Sequence, residues 1–195
     1  MNQPADDEIK QIVQRVLARY TGAPQTAQPA QPGSAKPELA QPAADKKVVA
    51  IGADHGGYEL KELLKPDITA LGYAVTDVGT HSKEAVDYPD LAYAVAGLVG
   101  SGQAWRGIVI DGAGIGSCIV ANKVPGVRAG LAYDHASAAN SREHNDTNVL
   151  TLGAGLIGPN LAKQIVQVWL STAFGGGRHE RRVNKIIEYE KRHLK

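Results

Sequence analysis

An acid followed at once by a glycine-rich loop is the stretch of this sequence best suited to chemistry. Asp111 ends the apolar run Ile108-Val109-Ile110 and precedes Gly112-Ala113-Gly114-Ile115-Gly116-Ser117. Glycines at alternate positions let the chain turn tightly and leave its N–H groups unscreened, so a helix starting in the loop favours an anion there. A carboxylate base beside such a hole is what proton abstraction next to a carbonyl requires. The same residues also suit a plain strand-to-helix turn, with glycines for packing and Asp111 as a cap.

Further polar residues stand beside other apolar runs. Asp54 and His55 follow Val48–Ile51, Asp87 and Tyr88 precede Pro89–Val99, and Asp134 and His135 follow Val127–Ala132. His144, Asn145 and Asp146 come just before Asn148–Leu152. Singly, such residues are caps or turn formers. Gathered at one edge of a sheet, as expected here, they make a site. In GGGRHERR, Arg178 and Arg182 are i and i+4, so a helix puts two guanidiniums on one face, where they can grip a phosphate. A solvated basic helix end is the other reading of that cluster.

Cofactor motifs are weak or missing. The third glycine of a G-x-G-x-x-G would fall on Ser117, and the loop follows the third strand rather than the first. No G-x-x-x-x-G-K-[ST] stretch occurs. The Asp and His residues lack zinc-like spacing. Neither a metal nor an organic cofactor is expected.

The elements that must position these residues begin at Lys47. Val48–Ile51, Tyr73–Val78, Gly107–Ile110, Val127–Ala132 and Asn148–Leu152 read as strands. Tyr58–Leu71 (with Pro66 as an irregularity), Pro89–Val99, Ile115–Lys123, His135–Glu143, Pro159–Phe174 and Arg182–Leu194 read as helices. The alternation predicts an α/β domain over residues 47–195, with a five-stranded parallel sheet covered on both faces and a ligand at the strands' carboxyl ends. With 195 residues, 43% of them hydrophobic, the chain can build one sizeable core. A formal net charge of +1 gives no field that attracts nucleic acid or an anionic membrane. The lone Cys118 excludes an intramolecular disulfide and reads as a buried structural thiol. No apolar stretch suits a bilayer span, and MNQPADDEIK lacks the basic-then-apolar order of a secretory signal, so a cytoplasmic location is expected.

Residues 1–46 are of another kind. Ile9, Ile12, Val13, Val16, Leu17 and Tyr20 make one stripe of an amphipathic helix over 1–20, with Asp6, Asp7 and Glu8 early and Arg15 and Arg19 late. Residues 21–46, rich in Pro, Ala and Gln, read as a disordered linker. An isolated helix of this length is marginal in water, so it folds on a partner or docks on its own body or oligomer. The arrangement resembles the encapsulation peptides that direct enzymes into bacterial microcompartments. That resemblance implies shell or core proteins as partners and the lumen as location.

The segments GADHGGYELK, VDYPD, GAGIG…ANKVPGVRA, SREHNDTNVL and GGRHERRV, in that order, resemble the type B ribose-5-phosphate isomerase family, which also holds the galactose-6-phosphate isomerase subunits. The likeness runs from about Val48 to about Tyr189. It implies a Rossmann-like three-layer αβα sandwich, a phosphorylated sugar as substrate, and dimers or tetramers with active sites between two subunits. It gives Asp54 and His55 to the sugar's ring oxygen, hydroxyls and phosphate end, and Tyr88 to the pocket. His144 then corresponds to the histidine that helps open the furanose ring, and Asn145 to its substrate-binding neighbour. Gly112, Gly114 and Gly116 correspond to the loop whose N–H groups stabilise the enediolate, and Arg178 and Arg182 to the phosphate pair.

Three positions depart from the family pattern. The usual loop reads Cys-Gly-Thr-Gly-x-Gly with the cysteine as base; here Asp111 takes the cysteine's place and Ala113 the threonine's. Another branch carries a glutamate base just after the third glycine, where this chain has Ser117. After the fifth strand many members carry a phosphate-contacting arginine, and here Gly155 stands there, leaving Arg181 or Arg128 as substitutes. The resulting expectation is aldose–ketose isomerisation through a cis-enediolate with Asp111 as base, as triosephosphate isomerase uses a glutamate. Ribose 5-phosphate is the expected substrate; another pentose, tetrose or hexose phosphate, or a sugar-phosphate-binding homologue without catalysis, are the alternatives.

Overall fold

The computed structural model describes residues 46–193. The helix expected over 1–20 and nearly all of the linker expected over 21–46 lie outside the described residues. The chain runs β1 (Val48–Ala53), α1 (Tyr58–Ala70), β2 (Ala74–Asp77), α2 (Tyr88–Gly100), β3 (Arg106–Asp111), α3 (Ile115–Ala121), β4 (Ala129–Leu131), α4 (His135–Asn145), β5 (Val149–Gly153), α5 (Pro159–Ser171) and α6 (Arg178–His193). The five strands form one parallel sheet in the order β2-β1-β3-β5-β4. This is the expected Rossmann-like sandwich.

Residue alternation explains the layers. Val49, Ile51 and Ala53 of β1 and Ile108 and Ile110 of β3 face one core, with Leu60, Leu64 and Ile68 of α1 and Ile165, Val166 and Trp169 of α5. Ala50 and Val109, on the other face, meet Ala92, Val95, Ala96 and Val99 of α2 and Ala121 of α3. Both faces are covered, so the strands read as unbroken apolar runs rather than alternating ones.

Two boundaries bear on the site. β3 extends one residue past its apolar run, because Asp111 still pairs with Gly153 of β5. α6 starts at Arg178 rather than Arg182: Gly176 and Gly177, at φ +60° and +55°, turn the chain straight into the helix. α1 runs through Pro66 at the loss of one backbone bond.

The sheet's order places a switch point between β1 and β3, since the chain leaves β1 towards β2 on one side and β3 on the other. The crevice at the carboxyl ends of two such strands is where ligands bind in open α/β sheets. Asp54 and His55 follow β1 there, and Asp111 to Gly116 follow β3.

Candidate active site

The loop after β3 is organised around the Asp111 carboxylate. Oδ1 accepts the N–H groups of Ala113, at 2.8 Å, and of Gly114; Oδ2 accepts the N–H of Ser117, at 3.1 Å, and its hydroxyl. Gly114 sits at φ +76°, a left-handed conformation that folds its N–H back to the acid, and a Cβ there would press on Leu131 and the Leu152–Gly153 backbone. Asp111 is 4% exposed and Ser117 fully buried. The four donors fill the carboxylate's in-plane lone pairs. Three are backbone groups fixed by the loop, and only the hydroxyl can rotate away. Asp111 is therefore both the last strand residue and the anchor of the turn.

The neighbours complete this edge. Asp54 Oδ1 accepts the N–H of Gly57 at 2.9 Å and so caps the turn into α1. The exposed His55 ring turns Nδ1 to the Val86 carbonyl, 3.3 Å away. The Tyr88 ring lies against Gly116, where any Cβ would fall inside the ring. Tyr133, at the end of β4, donates its hydroxyl to the Ala113 carbonyl at 2.9 Å and pins the loop from the other side. The turn after β5 is stitched to the same loop: Gly155 N–H donates to Gly112 O at 3.0 Å, and a side chain at Gly155 would crowd that oxygen. A cavity of 170 Å³ opens beside this turn, lined by Gly56, Glu59, Leu60 and Ala154 among others.

His144 and Asn145 do not join this edge, contrary to the expectation from sequence. α4 leaves β4 at the carboxyl edge and runs back beside the sheet for 11 residues, about 16 Å. Its last residues therefore reach the amino edge, where Asn148 O accepts from Gly107 N–H at 2.9 Å. Asp111 is four strand residues further along β3, about 13 Å away.

At the amino edge a second cluster forms. The His144 and His179 rings stack, with centroids 4.0 Å apart and planes 6° apart. Asn140 Nδ2 approaches His144 Nδ1 at 2.8 Å, and Arg178 Nε donates to His179 Nε2 at 3.4 Å. Burial pushes the His179 imidazole below the usual histidine value, with His144, Arg178 and Arg182 adding to it. Arg178 and Arg182 lie exposed on one face of the first two turns of α6. Arg128 is not free to replace a phosphate ligand. It donates to Asp146 O at 2.9 Å and to Asp146 Oδ2 at 2.8 Å. With Arg142, it holds the left-handed turn at Asp146, φ +47°. A second cavity, of 280 Å³, opens here beside Arg128, Asn145 and Ile186.

A family model described as Ribose/Galactose Isomerase matches residues 49–186. The chain belongs to this family. It is similar to ribose-5-phosphate isomerase B of Escherichia coli, at 44% identity over 75% of this chain and 98% of that protein. It is also 43% identical to the D-erythrulose-4-phosphate isomerase of Pectobacterium atrosepticum, over 73% of this chain and 94% of the relative. A solved structure of ribose-5-phosphate isomerase B from Clostridium thermocellum superposes with a TM-score of 0.73 at 51% identity, covering 75% of this chain and 99% of that one. This chain is accordingly a sugar-phosphate isomerase of the ribose/galactose isomerase family, an aldose–ketose enzyme.

As a ribose/galactose isomerase it departs in its loop chemistry. The glycine loop keeps its shape while one of its N–H groups, that of Gly114, serves Asp111 rather than a ligand. For the N–H groups of Gly112 and Gly116 no acceptor lies among the described residues. Tyr133 and Asn140 were missed in the sequence; the only signal was an aromatic at a strand end and a polar residue one turn before His144. Cys118 is half-buried, its thiol pushed up by burial, and its Sγ lies 3.6 Å from Ala129 O. Among the described residues no group of three or more His, Cys, Asp or Glu could hold a metal ion, and no helix is long and apolar enough to cross a membrane.

Proposed function

We propose that this isomerase interconverts ribose 5-phosphate and ribulose 5-phosphate in a site assembled from the carboxyl edge of one copy and the amino edge of another. The supporting observation is the division of residues: the base position and glycine loop lie at one edge, the ring-opening histidine and arginine pair at the other. Two such edges from two copies, within a homodimer or a homotetramer, provide every role; one copy does not.

The chemistry runs in three proton steps. His144 of one copy gives its Nε2 proton to the furanose ring oxygen and takes the C1 hydroxyl proton back on the same nitrogen, directly or through a water, so the ring ends neutral and the aldehyde is freed. Asp111 of the other copy takes the C2 proton onto Oδ2, the oxygen whose Ser117 hydroxyl donor can rotate away, and a cis-enediolate forms. Gly112 and Gly116 N–H groups face its oxygen charge. Asp111 then returns the proton to C1 while a proton passes from O2 to O1. Asp54, His55, Tyr88 and Asn145 hold the hydroxyls, and Arg178 and Arg182, with His55 at that end, hold the phosphate as charge-assisted partners.

A tetrose phosphate is the second reading, and Gly155 favours it. Removing the arginine expected after β5 removes a contact to the far end of the sugar, and the neighbouring cavity at Gly56 and Ala154 is small. We also propose that residues 1–20 recruit the enzyme to a microcompartment, in keeping with the helix-and-linker pattern of residues 1–46. The test of substrate is a panel of tetrose, pentose and hexose phosphates with the purified protein in D2O, reading deuterium at C1 and C2. Ribose 5-phosphate should exchange fastest; faster exchange with a tetrose phosphate would move the assignment, and exchange with none would leave only a binding homologue. Fusing residues 1–46 to a fluorescent protein should give fluorescence on shells, and diffuse signal in a shell-forming host would refute targeting.

A further inference from the structure

Among the polar groups outside the loop, Asn140 is the one whose placement determines what a catalytic ring can do. It lies one helical turn before His144 on α4, and its amide nitrogen faces His144 Nδ1 at 2.8 Å. An amide nitrogen only donates, so Nδ1 must accept. The proton of the neutral ring is then on Nε2. His179 covers one face of the ring in a near-parallel stack. It is itself oriented by Arg178, whose Nε donates to His179 Nε2 and so places the His179 proton on Nδ1. Glu143 Oε1 stands 3.9 Å from His144 Nε2, beyond hydrogen-bond reach, which leaves that N–H for another acceptor.

We propose that Asn140 is a positioning residue that fixes the tautomer of His144, so that the neutral ring presents Nε2–H to the sugar's ring oxygen and recovers the C1 hydroxyl proton on that same nitrogen. His179 is the back wall that keeps the ring in one orientation, and through Arg178 it ties this orientation to the phosphate grip. The proposal rests on the sugar-phosphate reading for its acceptor, but the tautomer itself exists without substrate. Asn140 touches His144, not the sugar.

The experiment has two readouts on the full-length enzyme. The first is 15N NMR of histidine-labelled protein at a pH where the rings are neutral, with His144 assigned from its loss in His144→Gln. Wild type should show a pyridine-type Nδ1 and a pyrrole-type Nε2. In Asn140→Asp the carboxylate accepts, so the proton should move to Nδ1; in Asn140→Leu, which removes the amide without adding charge, a mixture should appear. A wild-type ring protonated on Nδ1, or a tautomer indifferent to both substitutions, overturns the proposal whatever the activity. The second readout is kinetic. Ribulose 5-phosphate has no furanose form, so exchange of its C1 proton needs no ring opening. Asn140→Asp should slow turnover of ribose 5-phosphate about a hundredfold, the scale of a lost general acid, with exchange at C1 of ribulose 5-phosphate changing less than about tenfold. Equal loss in both would overturn the donor role. Silence of the wild type towards both sugars would refute the functional reading while the NMR still decides the role of Asn140.

Discussion

At the carboxyl edge of the sheet Asp111 is 4% exposed and receives four donors from its own loop, whereas at the amino edge Arg178 and Arg182 are exposed and form no ion pair among the described residues. The first edge is satisfied internally and held from three sides, by Tyr88, Tyr133 and Gly155. The second presents charge and ring donors to the outside. A rigid proton-transfer apparatus needs the former arrangement, and capture of a dianionic phosphate needs the latter. Each edge lacks what the other has, as the proposed site shared between two copies requires.

The largest effect expected is at the closed edge. Asp111→Asn should lower kcat by roughly 10²–10⁴-fold, the span of a lost general base. It also sets an amide N–H₂ against backbone N–H groups, costing about 1–3 kcal/mol of stability, so thermal unfolding should be measured alongside. Ser117→Ala sharpens the point. It removes the hydroxyl from Oδ2 without touching the backbone donors, and kcat should change by less than about tenfold. A collapse of activity in Ser117→Ala with the fold intact would mean that the hydroxyl itself carries the proton.

At the open edge, effects should fall on KM. Arg178→Gln or Arg182→Gln each removes a charge-assisted contact of about 1.5–3 kcal/mol, or about 10- to 150-fold in affinity. Because both side chains are exposed, the melting temperature should hardly move. A loss of stability instead would make the pair a structural feature of α6.

The smallest expected effect is a pH dependence. His179 is held below the ordinary histidine value of 6.5 by burial, with His144, Arg178 and Arg182 contributing. As pH falls below 6.5 the unfolded chain takes up this proton before the folded one does, so stability falls until the folded value is passed. Calorimetry between pH 8 and pH 5 should show a shallower acid decline in His179→Asn than in wild type. Glu143 is the nearby charge that opposes the shift, and Glu143→Gln should steepen the decline.

Much of the fold was legible because strand and helix each have a simple sequence cause. Runs such as Val48–Ile51 and Ile108–Ile110 are buried on both faces of a parallel sheet, and apolar residues mark that directly. The placement of His144 was legible too, though not as first expected: a residue just before β5 stands at the amino ends of parallel strands, opposite to the residues that follow β1 and β3. The setting of Asp111 was half legible: its place at a strand end beside a glycine loop marks it in the sequence, while the four donors depend on Gly114 taking a left-handed conformation. Lys61 shows the same limit. A lysine in an amphipathic helix reads as solvated, yet it is fully buried and ion-paired to Asp77 at 2.5 Å, with Lys65 on the same carboxylate at 2.7 Å.

Mixing inactive variants tests whether one site is built from two edges of two copies. Asp111→Asn and His144→Gln enzymes, each nearly silent alone, are denatured together and refolded as mixed dimers. If the edges come from different copies, each mixed dimer has one site with both native residues, and a statistical mixture should recover about one quarter of wild-type activity. If the two residues act within one chain, every site in the mixture carries one defect and no activity returns, which would rule out a site shared between copies.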